Sequence, residues 1–119
     1  MNKVEQGPTP FSIVVITYNH EDFILKSLES LAEAHSGAVQ IVIVEDCSTD
    51  STRTIIECWM ATHPRCDVTF HSNQTNVGLV RSLNIAIRDV KHDIISILSG
   101  DDVGNLEHIA KQVNFLATH

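Results

Sequence analysis

Positive charge is scarce in this sequence. Its 8 Lys and Arg face 15 Asp and Glu, which gives a formal net charge of −7, and the cations are spread along the chain without a cluster. A polyphosphate backbone needs a basic stripe that displaces its counterions, so nucleic acid is excluded as the expected partner. A small phosphate ester would bind such an acidic protein only through a cation or a set of backbone N–H groups placed between them.

Long apolar runs are also missing, none approaching the roughly 20 residues that a membrane-spanning helix needs. Cys47, Cys58 and Cys66 are odd in number and show no C-x-x-C spacing, and the stretch from Met1 to Gly7 is polar rather than a secretory leader. A reducing cytoplasm is the expected setting. The 7 histidines form no H-E-x-x-H and no paired Cys/His arrangement, which argues against a structural zinc site. With 119 residues and no internal repeat, the chain is bounded to one domain that buries roughly two-thirds of its extended surface.

What the sequence does contain is an alternation of two periods. Residues 1–10 read as a polar leader ending in Pro8 and Pro10, and residues 11–119 as the domain. Phe11-Ser-Ile-Val-Val-Ile-Thr17 is a β-branched run of strand length, and Val39 to Val44 repeats it; Asp67 to His71 is a weaker third strand and Asp93 to Leu98 a fourth. Between them lie amphipathic helices. Ile24, Leu28 and Leu31 mark one that ends near Ser36-Gly37, with Glu21 and Asp22 at its positive end; Ile55, Ile56, Trp59 and Met60 mark another that stops before Pro64. Leu79, Leu83 and Ile87, with Val80 and Val90, mark a third after Gly78, and Leu106, Ile109, Val113 and Leu116 a last one capped by Asn105. The expected fold class is α/β, a mostly parallel sheet with helices on both faces and right-handed crossovers.

In such sheets ligands gather beyond the carboxyl ends of the strands. Those ends read Thr17-Tyr18-Asn19, Glu45-Asp46-Cys47-Ser48-Thr49-Asp50 and Ser99-Gly100-Asp101-Asp102. Taken singly, Asn19 and Asp50 read as helix caps and the acidic pairs as turn formers. Taken together, four carboxylates at one edge should raise one another's pKa unless a cation or the donors of a ligand offset the charge. Asp101 and Asp102 suit a hard divalent ion that also takes phosphate oxygens and water, and such an ion would neutralise a diphosphate leaving group. Asp46 is an acceptor able to receive the imide N–H of a pyrimidine, and Tyr18 offers a stacking face for the same base.

V-V-I-T-Y-N (14–19), V-E-D-C-S-T-D-S-T (44–52), N-V-G-L-V-R-S-L-N-I-A-I (76–87) and D-I-I-S-I-L-S-G-D-D-V (93–103) stand in this order along the chain. Over about residues 11 to 118 the sequence resembles the Rossmann-like, nucleotide-binding half of the family 2 inverting glycosyltransferases, which have the GT-A fold. The resemblance implies a site for a UDP- or dTDP-type sugar donor. Thr17 and Tyr18 would contact the base, Asp46 would read its imide, and Asp101 would approach the ribose. Asp102, with Asp101 beside it, would hold Mn²⁺ or Mg²⁺ on the diphosphate. Asn76 and Gly78 would form the turn that lets the next helix approach the nucleotide, with Arg81 reaching the nucleotide or its phosphates. Asn19, Glu45 and Ser48 complete the expected substrate-binding set.

The sequence departs from the family's commonest pattern at Glu45, Cys47, Leu83 and Ser99. Cys47 stands where glycine is frequent, so a left-handed turn there would be strained. The acceptor half of the family's fold, which carries the catalytic base, is not matched, and no catalytic residue is assigned. The implied acceptor is a saccharide or lipid-linked chain in surface polysaccharide synthesis, with peripheral association at the inner face of the plasma membrane. An exposed apolar surface and a homodimer are expected where the second half would pack. Three other readings compete: a receiver-like signalling domain, a nucleotidyltransferase, and a non-catalytic α/β binding module. A receiver would place its acidic pair after the first strand and a Lys after the last. A nucleotidyltransferase would place a Gly-rich basic loop where Thr17-Tyr18-Asn19-His20-Glu21 stands.

Overall fold

A computed structural model describes residues 9–33, 38–104 and 106–118. The elements alternate as read from the sequence: β1 (Phe11–Thr17), α1 (Ile24–Glu29), β2 (Val39–Glu45), α2 (Thr52–Thr62), β3 (Asp67–Ser72), α3 (Leu79–Asp89), β4 (Ile95–Ser99) and α4 (Leu106–Thr118). The strands form one parallel sheet in the order β3-β2-β1-β4. The two central strands are buried at every position, which is why they read as unbroken apolar runs. Edge strand β3 is only half-buried throughout, which accounts for its weaker signal. A receiver-type sheet runs 2-1-3-4-5, so this strand order tells against that reading.

The pleat sorts the core into two layers. Phe11, Ile13 and Val15 of β1 and Val39, Ile41 and Ile43 of β2 pack with Ile24 and Leu28 of α1, Ile56 and Trp59 of α2, and Ile109 and Val113 of α4. The opposite face, built from Val14, Ile16, Val42 and Val44, meets Ala86 of α3. The first two crossovers run outward from β1 in one direction and the third returns to its other side, so α3 falls on the opposite face. Gln40, fully buried in β2, ties the layers: its Oε1 accepts from Ser12 Oγ at 2.7 Å and Lys91 N–H at 2.9 Å, and its Nε2 donates to Asp89 O at 2.8 Å.

Three helical expectations are corrected. Helix α1 stops at Glu29 and continues only as turns. Past Glu29 the backbone tightens to three-residue bonds, Leu31 N–H donating to Leu28 O at 2.9 Å and Ala32 N–H to Glu29 O at 3.1 Å, while Ser30 Oγ donates to Ser27 O. Glu21 and Asp22 lie in the turn just before α1, at its N-terminal end, and Ser36-Gly37 lie outside the described residues. On α3 the fully buried residues are Ser82 and Ala86; of the expected apolar stripe Leu83 and Val90 pack against this core layer, while Leu79, Val80 and Ile87 are exposed. Small side chains bring this helix close to β1 and β2, a seam that apolar periodicity alone does not report. Strand β4 begins at Ile95 rather than Asp93, the proposed cap Asn105 lies outside the described residues, and Leu116 is exposed.

Ile97 of β4 is 55% exposed, on the sheet face that α3 covers only in part. Among the described residues no helix is long and apolar enough to cross a membrane.

Candidate functional site

Strand β1 is flanked by β2 on one side and β4 on the other, so the strand order reverses between β1 and β4, the topological switch at which open α/β sheets bind ligands. Beyond their carboxyl ends lies a crevice of about 410 Å³ lined by Ile16, Tyr18, His20, Asp46, Asn76, Gly78, Leu79 and Ser99. A larger hollow of about 590 Å³ runs along α4 past His108, Lys111 and Phe115, but it includes none of the strand-end residues. The crevice combines an aromatic ring, a carboxylate, an amide and a glycine-opened backbone, the mixture that fixes a small polar ligand.

The two loops on its β1–β2 side are zipped together. Asn19 N–H donates to Ser48 Oγ at 2.9 Å, and Asn19 Oδ1 accepts from Thr49 N–H at 2.8 Å. His20 N–H donates to Thr52 Oγ1 at 2.9 Å, Glu21 N–H to Asp50 Oδ2 at 3.1 Å, and Ser51 N–H to Glu21 Oε1 at 2.9 Å. Asn19 and Ser48 thus hold the loops to each other and do not line the crevice. Neither Asn19 nor Asp50 is an N-cap, those positions being Phe23 and Ser51. Burial pushes the Asp50 carboxyl up, but hydrogen bonds from the Thr52 hydroxyl, Thr52 N–H and Glu21 N–H outweigh it and hold the group below the ordinary carboxylate value.

The second strand end spends its acids on backbone. Glu45 is buried, and both of its oxygens accept from Ser48 N–H, at 2.8 and 3.0 Å, closing the turn away from the crevice. Asp46 is 4% exposed; its Oδ1 accepts from Val77 N–H at 2.8 Å and Asn73 Nδ2 at 3.0 Å, and its Oδ2 accepts from Gly78 N–H at 2.9 Å. Each carboxylate oxygen has two lone pairs, so Oδ1 is filled and Oδ2 keeps one for a ligand donor. Asn76 Nδ2 donates to Asp46 O at 3.2 Å, fastening the same loop. Gly78, at φ 90° and ψ 169°, sits in a region open only to glycine, although a Cβ there would meet nothing within 4 Å.

Cys47 has φ 61°, the left-handed turn anticipated for this position, and its Sγ makes one long contact with Gln74 O at 3.4 Å. A left-handed non-glycine residue costs about 1–2 kcal/mol, partly offset in a glycine variant by the freer unfolded chain. Cys47→Gly should therefore raise the thermal midpoint by about 2–4 °C. A fall in a melting experiment would show that the Sγ contact outweighs the strain.

The fourth strand end carries the exposed pair Asp101 and Asp102. Asp102 Oδ2 accepts from Ser99 N–H at 2.9 Å. A hydrogen bond from the Ser99 side chain holds the Asp101 carboxyl below its ordinary value, with a smaller contribution from the charge of His20. Against the expected raising, Asp101 is thus lowered, while Glu45 and Asp46 accept from backbone N–H groups. Among the described residues no three His, Cys, Asp or Glu side chains converge as a metal cage. Two exposed carboxylates nevertheless fit a hard cation that draws its other ligands from phosphate and water.

Of the expected set, Tyr18, Asp46, Asn76 and Gly78 line the crevice, whereas Thr17 is buried behind it and Arg81 lines a separate hollow with Val77, Asn84, Ile85 and Arg88. His20, Leu79, Ser99 and Ile16 line it without having been nominated. For His20 the signal was present, because it follows directly on the strand-end motif Thr17-Tyr18-Asn19.

Comparison with known proteins agrees with this layout. The chain is 30% identical over 112 residues to the poly(ribitol-phosphate) beta-N-acetylglucosaminyltransferase TarS of Staphylococcus aureus, covering 92% of this chain and 19% of TarS. It is 31% identical over 116 residues to the putative glycosyltransferase EpsE of Bacillus subtilis, covering 98% of this chain and 41% of EpsE. The crystal structure of TarS 1–349 with UDP superposes with a TM-score of 0.80 at 29% identity, over 93% of this chain and 33% of that one. The mannosyltransferase PcManGT of Pyrobaculum calidifontis, solved with GDP-Man and Mn²⁺, gives a TM-score of 0.83 at 26% identity, over 95% of this chain and 35% of that one. The chain therefore spans well under half of each relative, the part that forms the first half of the GT-A fold. Residues 12–119 match the profile described as Glycosyl transferase family 2, and with the parallel sheet and switch-point crevice this makes the chain a member of that family.

Proposed function

We propose that this chain binds a nucleoside-diphosphate sugar, of UDP or dTDP type, for inverting transfer to a saccharide or lipid-linked acceptor in surface polysaccharide synthesis. The observation that carries the reading is the switch-point crevice, where Tyr18 and the one open lone pair of Asp46 Oδ2 stand across from Ser99 and the acidic loop. The base would stack on Tyr18 and donate its imide N–H to Asp46, and the diphosphate would lie toward Asp101 and Asp102. There Mn²⁺ or Mg²⁺, held by those two carboxylates and phosphate oxygens, would offset the charge of the leaving diphosphate. Relatives solved with UDP and with GDP-Man and Mn²⁺ support a nucleotide-sugar site of this kind. Direct displacement also requires a base beside the acceptor hydroxyl, and no carboxylate of this chain is assigned to it. The setting belonging to this reading is the cytoplasm, at the inner face of the plasma membrane.

Calorimetric titration of UDP, dTDP and GDP, each with and without Mn²⁺, tests the proposal. UDP or dTDP should bind more tightly with metal, and Asp102→Ala should abolish the metal's effect. N3-methyl-UDP, which lacks the imide proton, should bind at least about tenfold more weakly than UDP, the equivalent of 1.4 kcal/mol. Equal binding of the methylated ligand would remove base reading from Asp46, and no binding of any nucleotide to folded protein would remove the donor site.

A further inference from the structure

His20 is placed with more care than a loop residue requires. Its backbone N–H donates to Thr52 Oγ1 at 2.9 Å, and its carbonyl oxygen accepts from Phe23 N–H at 2.9 Å and Ile24 N–H at 2.8 Å. Its ring is fixed from the other side, with Nδ1 lying 2.9 Å from Thr17 Oγ1. Gly100 closes over this contact so tightly that a Cβ there would stand 2.6 Å from Nδ1. The imidazole is therefore held by β1, by the turn before α1 and by the loop after β4, and it lines the crevice.

The hydrogen-bond roles follow from the burial of Thr17. This residue is 1% exposed, and among the described residues its hydroxyl has one hydrogen-bond partner, His20 Nδ1. A buried hydroxyl proton left without an acceptor costs about 1–3 kcal/mol, so the hydroxyl donates and Nδ1 accepts. A neutral imidazole has one N–H, which this arrangement places on Nε2. Among the described residues Nε2 has no hydrogen-bond partner. The result is a rigidly held N–H donor at the wall of the crevice.

We infer that His20 is a ligand-contacting residue, its Nε2–H donating to an oxygen of the ribose-diphosphate portion of the nucleotide. The inference rests on the donor-binding reading above and adds to it a residue and a tautomer. The ring's second nitrogen ties the contact to β1, so ligand binding is braced by the central strand.

Two amides separate the ring's two jobs. Asparagine reaches about as far as Nδ1 and can keep the Thr17 bond, whereas glutamine reaches about as far as Nε2 and can keep the donor. In calorimetry with UDP and Mn²⁺, His20→Asn should melt near the wild-type temperature yet bind about tenfold more weakly, and His20→Gln should recover most of the affinity. Nitrogen-15 spectra of the wild-type protein should show the Nε2–H tautomer, with the Nε2 resonance moving when UDP is added. UMP and uridine distinguish the source of the oxygen: a loss in His20→Asn that persists with uridine assigns the ribose, and one that vanishes assigns the phosphates. Unchanged UDP affinity in a folded His20→Asn, or an Nδ1–H tautomer, would overturn the inference and leave the donor site standing. Absence of UDP binding to wild type would overturn both.

Discussion

Asp46→Ala is expected to be the most destabilising single substitution at the strand ends, lowering stability by about 3–5 kcal/mol. The carboxylate serves three donors, Val77 N–H, Gly78 N–H and Asn73 Nδ2; the two backbone N–H groups would be stranded, and Asn73 Nδ2 would keep only Ser82 Oγ. Against a total of about 5–15 kcal/mol for a domain, that is a large share. The thermal midpoint should fall by about 15 °C or more. Asp46→Asn should fall roughly half as far, since it retains one acceptor oxygen but turns an NH₂ toward the Gly78 or Val77 N–H. Urea and thermal unfolding of both variants decide the matter, and a midpoint within about 2 °C of wild type for Asp46→Ala would show that water replaces the carboxylate without loss. Nucleotide binding lost in Asp46→Ala would therefore say little about base recognition, which is why the ligand rather than this residue is altered to test it.

Gly100→Ala is expected to rank second, for a reason opposite to that at Gly78. At Gly78 the backbone demands glycine and the space is open; at Gly100 the space is the constraint. A Cβ at Gly100 would lie 2.2 Å from Thr17 Oγ1 and 2.6 Å from both Thr17 Cβ and His20 Nδ1. Thr17 sits at the end of a fully buried strand and cannot withdraw. Nor can Gly100, whose N–H donates to Ile16 O at 2.9 Å and whose carbonyl accepts from Ser27 Oγ at 2.8 Å. Overpacking of this kind costs about 1–3 kcal/mol, and the upper end is expected because the groups struck are a strand residue and a fixed ring. The midpoint should drop by about 12 °C. The acidic loop that follows should also be displaced, so metal-dependent UDP affinity should fall by more than tenfold in protein shown to be folded. A variant that melts and binds like wild type would mean that β4 shifts freely against β1.

The strands were legible because burial on both faces leaves an unbroken β-branched run, as in Ile13 to Ile16 and Ile41 to Val44, that no helix period imitates. The crevice was legible because strand ends are where polar residues interrupt such runs. What remained hidden was the use of the side chains. Glu45 and Asp46 are adjacent acids of the same charge, yet one closes a turn on Ser48 N–H and the other anchors the loop before α3 through the N–H of Val77, 31 residues away. The seam of α3 was misread because Ser82 and Ala86 carry no hydrophobic signal while the exposed Leu79 and Ile87 do. His20 follows directly on Thr17-Tyr18-Asn19, but the packing of its ring under Gly100 joins residues far apart in the chain.

The sheet order has a kinetic consequence. Strand β1 pairs on one side with β2, its neighbour in sequence, and on the other with β4, where Ser12 meets Ile95 across most of the chain. Closing so long a loop is slow, and in synthesis β4 is the last of the four strands to emerge. The layers of β1, β2 and β3 can form before it, but the wall carrying Ser99 and the lid supplied by Gly100 cannot. The crevice is therefore born in the same event that completes the sheet, so a ligand spanning it holds β4 in place and slows unfolding from that edge without hastening the steps that came earlier.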